Sequence, residues 1–177
     1  MRLILAATLC ASYGVYGPPF ERFWHIAREP GSEEYLHSEK YEVRHWPSVE
    51  DDLTELMVSI NRIRRENPAL QQNATLKFHP TTDEQVICYS KSAGENVVVT
   101  VVNLDPHNAH SAWLELDLEA LQLDGHRSFQ AHDLLSNVRQ TWTGSRNFIQ
   151  LNPQVVPAHI FRIRRKVRTE RDFDYFL

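Results

Sequence analysis

Apolar and polar positions follow three different rhythms along this chain, and each predicts a different kind of element. Behind Arg2, the run Leu3–Ala11 (LILAATLCA) is apolar almost throughout, which predicts a parallel strand buried on both faces. From Gly14 to Val49 no rhythm holds; Gly, Pro, aromatic and charged residues mix as in a long loop. Leu53, Leu56, Met57, Ile60 and Ile63 then fall on one face of a helix. Ser48 is its candidate N-cap, and Asp51 completes a capping-box pattern in which Glu50, Asp51 and Asp52 suit the positive end of the dipole. Arg62, Arg64 and Arg65 suit the negative end, and Asn67 before Pro68 stops the helix.

Beyond residue 76 the pattern turns to short extended runs: Gln85–Lys91, Asn96–Asn103, Ala112–Leu118, Ser128–Asp133, Arg139–Thr143, Phe148–Leu151 and His159–Arg164. Turn residues separate them, among them Gly94, Asp105-Pro106, Asp124-Gly125, Thr143-Gly144 and Asn152-Pro153. Short strands at this spacing predict an antiparallel sandwich or barrel. Trp113 and Trp142 sit in strand patterns and are expected in its core, although an exposed one would suit a ligand-binding patch. The chain is thus expected to be an α+β fragment, with a strand, loop and helix in 1–75, a β-sandwich in 76–165 and a charged tail in 166–177.

Composition narrows this picture. The 177 residues suit one ordinary domain and fall short of the about 250 of a closed (β/α)₈ barrel. A lone strand needs neighbours for its backbone donors and acceptors, so something is expected to precede it. Hydrophobic residues at 42% and aromatics at 10% exclude global disorder. A formal net charge of −4 argues against a nucleic-acid binder. Cys10 and Cys88 lie in apolar stretches and are expected to be reduced, buried thiols. The first apolar run is too short to cross a bilayer and lacks a well-formed signal cleavage site, so a cytoplasmic location is expected, with no membrane partner.

Candidate chemistry is sparse. Asp105, His107 and His110 lie within six residues, a spacing that a turn could fold round a Zn²⁺, but no fourth ligand is evident and a hairpin loop is the expected role. Arg62, Arg64 and Arg65 answer a helix C-terminus rather than clamp a phosphate. The basic run Arg162–Arg168 is followed by Glu170, Asp172 and Asp174, which reads as a solvated tail.

Five segments, LAATLCASYGVYGPPFE, PGSEEYLHSEKYEVRHW, NRIRRENPALQ, VVNLDPHNAHSAWLEL and FIQLNPQVVPAHIFRI, closely resemble the C-terminal quarter of the bacterial α-1,4-glucan:maltose-1-phosphate maltosyltransferases of the α-amylase clan. The resemblance covers nearly the whole chain in order. It implies that residues 1 to about 70 are the last strand, the following loop and the closing helix of a (β/α)₈ barrel, and that 76–165 are the β-sandwich behind it. It implies transfer of maltosyl units from maltose 1-phosphate to the non-reducing ends of α-1,4-glucans by retaining double displacement, in a homodimer. No cofactor and no metal is expected.

In a barrel the loop after a strand lies on the catalytic face, so Tyr13 to Trp46 should look onto substrate. Lys40 and Tyr41 match the family's Lys-Tyr pair at the donor phosphate, where an ammonium and a phenol are both good donors to phosphate oxygens. Tyr13, Tyr16, Phe20, Phe23 and Trp24 suit either sugar stacking or packing between the β module and the barrel. The chemistry itself needs two carboxyl groups about 5 to 5.5 Å apart. In the family these come from earlier strands, so no catalytic residue is expected here. Glu33, Glu34, Glu39 and Glu42 are expected to form only a charged rim. The chain by itself, a truncated or split reading frame, is expected to be inactive. Two alternatives stay open: a non-catalytic glucan-contacting β module, and a fragment of a trehalose synthase-like enzyme, suggested by RRENPAL.

Overall fold

The computed structural model describes residues 1–24, 26–36, 43, 45 and 53–165. The chain divides into two compact units, one formed by Met1–Ser12 together with Ile60 onward, the other by Tyr13–Ser59. The predicted N-cap at Ser48 with Asp51 and the predicted tail at 166–177 lie outside the described residues.

The larger unit is built on eight strands: β1 (Lys77–His79), β2 (Val86–Ala93), β3 (Asn96–Asn103), β4 (His110–Glu115), β5 (Ser128–Asp133), β6 (Arg139–Thr143), β7 (Arg146–Leu151) and β8 (Ala158–Arg164). Six of them form an antiparallel sheet in the order β1-β2-β3-β8-β5-β6, and β4 pairs with β7 in a second sheet. Register decides which side chains meet between the sheets. Cys88 opposes Val101, and Val99 opposes Phe161, so these residues share one face of the large sheet. Ala112, Leu114, Ile149 and Leu151 close the core from the small sheet, with Phe129 and Trp142 beside them. Trp142 meets Phe161 edge-on at 4.8 Å between centroids. The β4 strand ends earlier than predicted because Leu116 N turns to Ser145 O at 2.8 Å and Asp117 N to the ring of His79 at 3.1 Å.

The run NVVVTVVN is buried on both faces: every β3 residue after Asn96 is buried. Its second face belongs with Tyr89, Lys91 and Ile160, and elements from the start of the chain help to cover that side. Thr8 Oγ1 and the Tyr89 hydroxyl lie 2.5 Å apart. Burial pushes the Tyr89 hydroxyl up to about 12 and the Cys88 thiol up to about 12, so neither ionises near neutrality.

The expected strand at Leu3–Ala11 is overturned. Arg2–Leu9 form helix α1, with Leu3, Ile4, Ala7 and Thr8 buried at helical spacing. A strand would need a neighbour for its N–H and C=O groups, and no strand pairs with this segment among the described residues; a helix satisfies those groups internally, and Leu and Ala favour it. The helix ends before Cys10, whose thiol is therefore exposed rather than buried.

A short helix α2 (Gly17–Glu21), helix α3 (Thr54–Glu66) and a 3-10 turn at Pro68–Gln71 complete the regular structure among the described residues. In α3, Ile60 and Ile63 are buried as predicted. The arginine expectation needs amending. Arg64 donates to Ala7 O, to Ala11 O at 2.7 Å and to Cys10 O at 3.1 Å, so its charge answers the C-terminal carbonyls of α1. The carbonyls at the end of α3 are met instead by Asn67 Nδ2 on Ile63 at 2.8 Å and Gln71 Nε2 on Arg64 at 3.0 Å.

Phe161 is fully buried between the sheets. Phe161→Ala is therefore expected to lower the unfolding free energy by about 3–5 kcal/mol, read from urea denaturation; a loss below about 1 kcal/mol would place Phe161 outside the core.

Candidate functional site

Within the Tyr13–Ser59 unit the described residues centre on a hairpin. Arg28 N donates to Glu34 O and Leu36 N to Ile26 O, both at 2.8 Å, and Ala27 pairs with Tyr35. The turn passes through Gly31 at φ 80, a left-handed conformation in which a side chain would be strained. Arg28 and Glu34 face each other at 3.4 Å in an exposed ion pair, and Tyr35 stacks on Tyr16 at 5.9 Å. Phe23 adopts φ 59, rare for a bulky residue and a kind of strain that clusters at functional sites. Phe23, Trp24, Ile26 and Leu36 line an apolar hollow of about 240 Å³, and all four are substantially exposed.

Lys40 and Tyr41 lie outside the described residues, as do Glu39 and Glu42. Of the loop carboxylates that are described, Glu34 is held by Arg28. Of the five aromatics proposed for sugar stacking, Phe23 and Trp24 meet at the hollow, while Tyr16 is engaged with Tyr35.

The histidine constellation is held by hydrogen bonds to carboxylates. Among the described residues no three His, Cys, Asp or Glu side chains gather as a ligand set. Asp105 Oδ1 accepts His107 N at 2.7 Å and so shapes the loop with backbone rather than with the His107 ring, which is exposed. His110 is clasped between two carboxylates, Nδ1 at 2.7 Å from Asp83 and Nε2 at 3.1 Å from Asp105. These bonds hold the His110 ring above its ordinary range and Asp83 below its own, while Asp105 is held below its range by the Asn108 side chain first, then by His107 N and His110. A similar pairing joins His159 Nδ1 to the buried Asp133 at 3.0 Å. Asp83 and Asp133 gave no signal in the chain because their partners lie 27 and 26 residues away.

Trp142 is in the core as expected, but Trp113 is not: it is 41% exposed. The signal was present in the alternation of Ala112, Leu114 and Leu116, which puts Trp113 on the opposite face of its strand.

The fold is shared with α-amylase-type enzymes. A maltogenic α-amylase from Thermotoga neapolitana superposes with a TM-score of 0.63 over 91% of this chain and 35% of its own, at 14% identity. The γ-cyclodextrin glucanotransferase (gamma-CGTase) from an alkalophilic Bacillus clarkii superposes with a TM-score of 0.52 over 93% of this chain and 22% of its own, at 16% identity. Residues 78–163 match the family described as "GLGE, C-terminal". Proteins named α-1,4-glucan:maltose-1-phosphate maltosyltransferase from Salinibacter ruber and Corynebacterium glutamicum are 45% and 44% identical over 92% and 91% of this chain, and it covers 24% and 25% of theirs. The chain belongs to this maltosyltransferase family and spans about a quarter of the length of the curated relatives it matches. The trehalose synthase-like and non-catalytic alternatives are not favoured.

No helix among the described residues is long and apolar enough to cross a membrane. For the His110 clasp, the sign is set by the raised ring: its stabilisation is fully present below the unfolded value of 6.5 and is lost as pH rises through the folded one. His110→Gln is therefore expected to lower Tm more at about pH 5.5 than at about pH 8.5; an equal loss at both would show that the clasp does not titrate.

Proposed function

We propose that this chain is the C-terminal portion of a maltosyltransferase that moves maltosyl units from maltose 1-phosphate to the non-reducing end of an α-1,4-glucan. The observation that carries this reading is the match to maltosyltransferases across nine tenths of the chain. On this reading residues 1–75 are the C-terminal end of a (β/α)₈ barrel, 76–165 its β-sandwich and 166–177 a charged tail.

Each part then has a chemical task. Lys40 and Tyr41 donate to the phosphate of maltose 1-phosphate and match its negative charge as it leaves. The hollow of Phe23, Trp24, Ile26 and Leu36 offers an apolar wall suited to the C–H face of a sugar ring. On this reading the nucleophile and the acid/base, a carboxyl pair about 5 to 5.5 Å apart, come from elsewhere in the enzyme.

In a full-length enzyme, Lys40→Ala is expected to raise the KM for maltose 1-phosphate about ten- to a hundredfold, the value of one charge-assisted hydrogen bond. An unchanged KM would remove Lys40 from the phosphate site. The 177-residue chain alone is expected to release no phosphate from maltose 1-phosphate; measurable release would place the catalytic carboxylates within it.

A further inference from the structure

The outward face of the β4–β7 sheet carries a feature that the core does not require. Trp113 and Phe148 stand directly opposite each other in register, with ring centroids 5.3 Å apart and planes at 59°. They are 41% and 50% exposed, while the inward Ala112, Leu114 and Ile149 are buried. Along the strands the ring pair is bounded on one side by Ser111 opposite Gln150 and on the other by Glu115 opposite Arg146. Arg146 lies over the Trp113 ring at 4.8 Å from its centroid and meets Glu115 at 3.3 Å.

We infer that this face is a binding site for an α-1,4-glucan chain, remote in sequence from the loop that holds Lys40 and Tyr41. Three observations select the ligand. Trp and Phe offer about 150–250 Å² each, so at these exposures the pair presents roughly 200 Å². A stable protein interface takes about 800 Å² from each partner, several times more. The flanking charges are paired with each other, so the face offers no net field to an ion and suits a neutral ligand. A pyranose has an apolar C–H face for the rings and hydroxyls at its rim for Ser111, Gln150, Glu115 and Arg146. The choice of glucan over another sugar rests on the proposed function; the aromatic platform does not.

The test uses the 177-residue chain in native gels containing glycogen, with maltoheptaose titrated against tryptophan fluorescence as a second probe. Retardation by glycogen is expected, with Trp113→Ala and Phe148→Ala each weakening apparent affinity about tenfold or more. Phe78→Ala, which removes an exposed ring on β1, should retain it. Near-ultraviolet dichroism and Tm confirm that the variants are folded. The site is overturned if the wild-type chain is not retarded, if folded Trp113→Ala is retarded as strongly as wild type, or if sedimentation shows a dimer that Trp113→Ala dissolves. In a full-length enzyme Trp113→Ala should raise the KM for glycogen and leave the KM for maltose 1-phosphate unchanged. Failure at Lys40 is thus distinguishable from failure here.

Discussion

Strand β3 lies between β2 and β8 with buried side chains on both of its faces, so its backbone groups have no access to water and must find partners in the sheet. They do so along the whole of β2, from Ala93 opposite Asn96 to Val86 opposite Asn103, and along most of β8. Once that pairing is set, register follows, since a slip of one residue would carry Val97, Val99 and Val101 out of the core. The placement of Phe161 against Trp142 and the closure by β4 and β7 both descend from it.

The same requirement explains the start of the chain. An apolar segment with no strand beside it among the described residues meets its backbone demand as a helix, and α1 then presents carbonyls that Arg64 satisfies from α3. A cation whose position in the sequence suits its own helix is used by another. Asn73 is drawn into the same corner, its Oδ1 accepting Ala11 N at 2.8 Å and Lys91 Nζ at 3.3 Å. The fully buried Lys91 is held below its ordinary range by burial and by Arg64 nearby. One side of the sheet thus carries a polar seam that an apolar count of the strands does not reveal.

The two units carry different features. The loop unit carries a strained Phe23 and an apolar hollow, in the segment that leads to Lys40 and Tyr41. The β unit turns its charged and aromatic residues into local devices: a histidine clasped by two aspartates, and a ring pair on the outer face of a small sheet.

Local apolar patterns were enough to locate seven of the eight described strands, β1 (Lys77–His79) being missed, and the apolar face of α3, because those elements answer mainly to which side chains are apolar and how they repeat. Family membership was equally legible, since it rests on runs of residues such as SEKYE and NLDP. The exposure of Trp113 was written in the alternation around it but depended on knowing which face the second sheet would cover. Three matters belonged to tertiary structure alone: the helical state of Arg2–Leu9, the service of Arg64 to that helix, and the meeting of Asp83 with His110. Each turns on a partner distant along the chain, or on the lack of one beside it, and a local pattern holds no information about which distant groups the fold will bring within hydrogen-bonding reach.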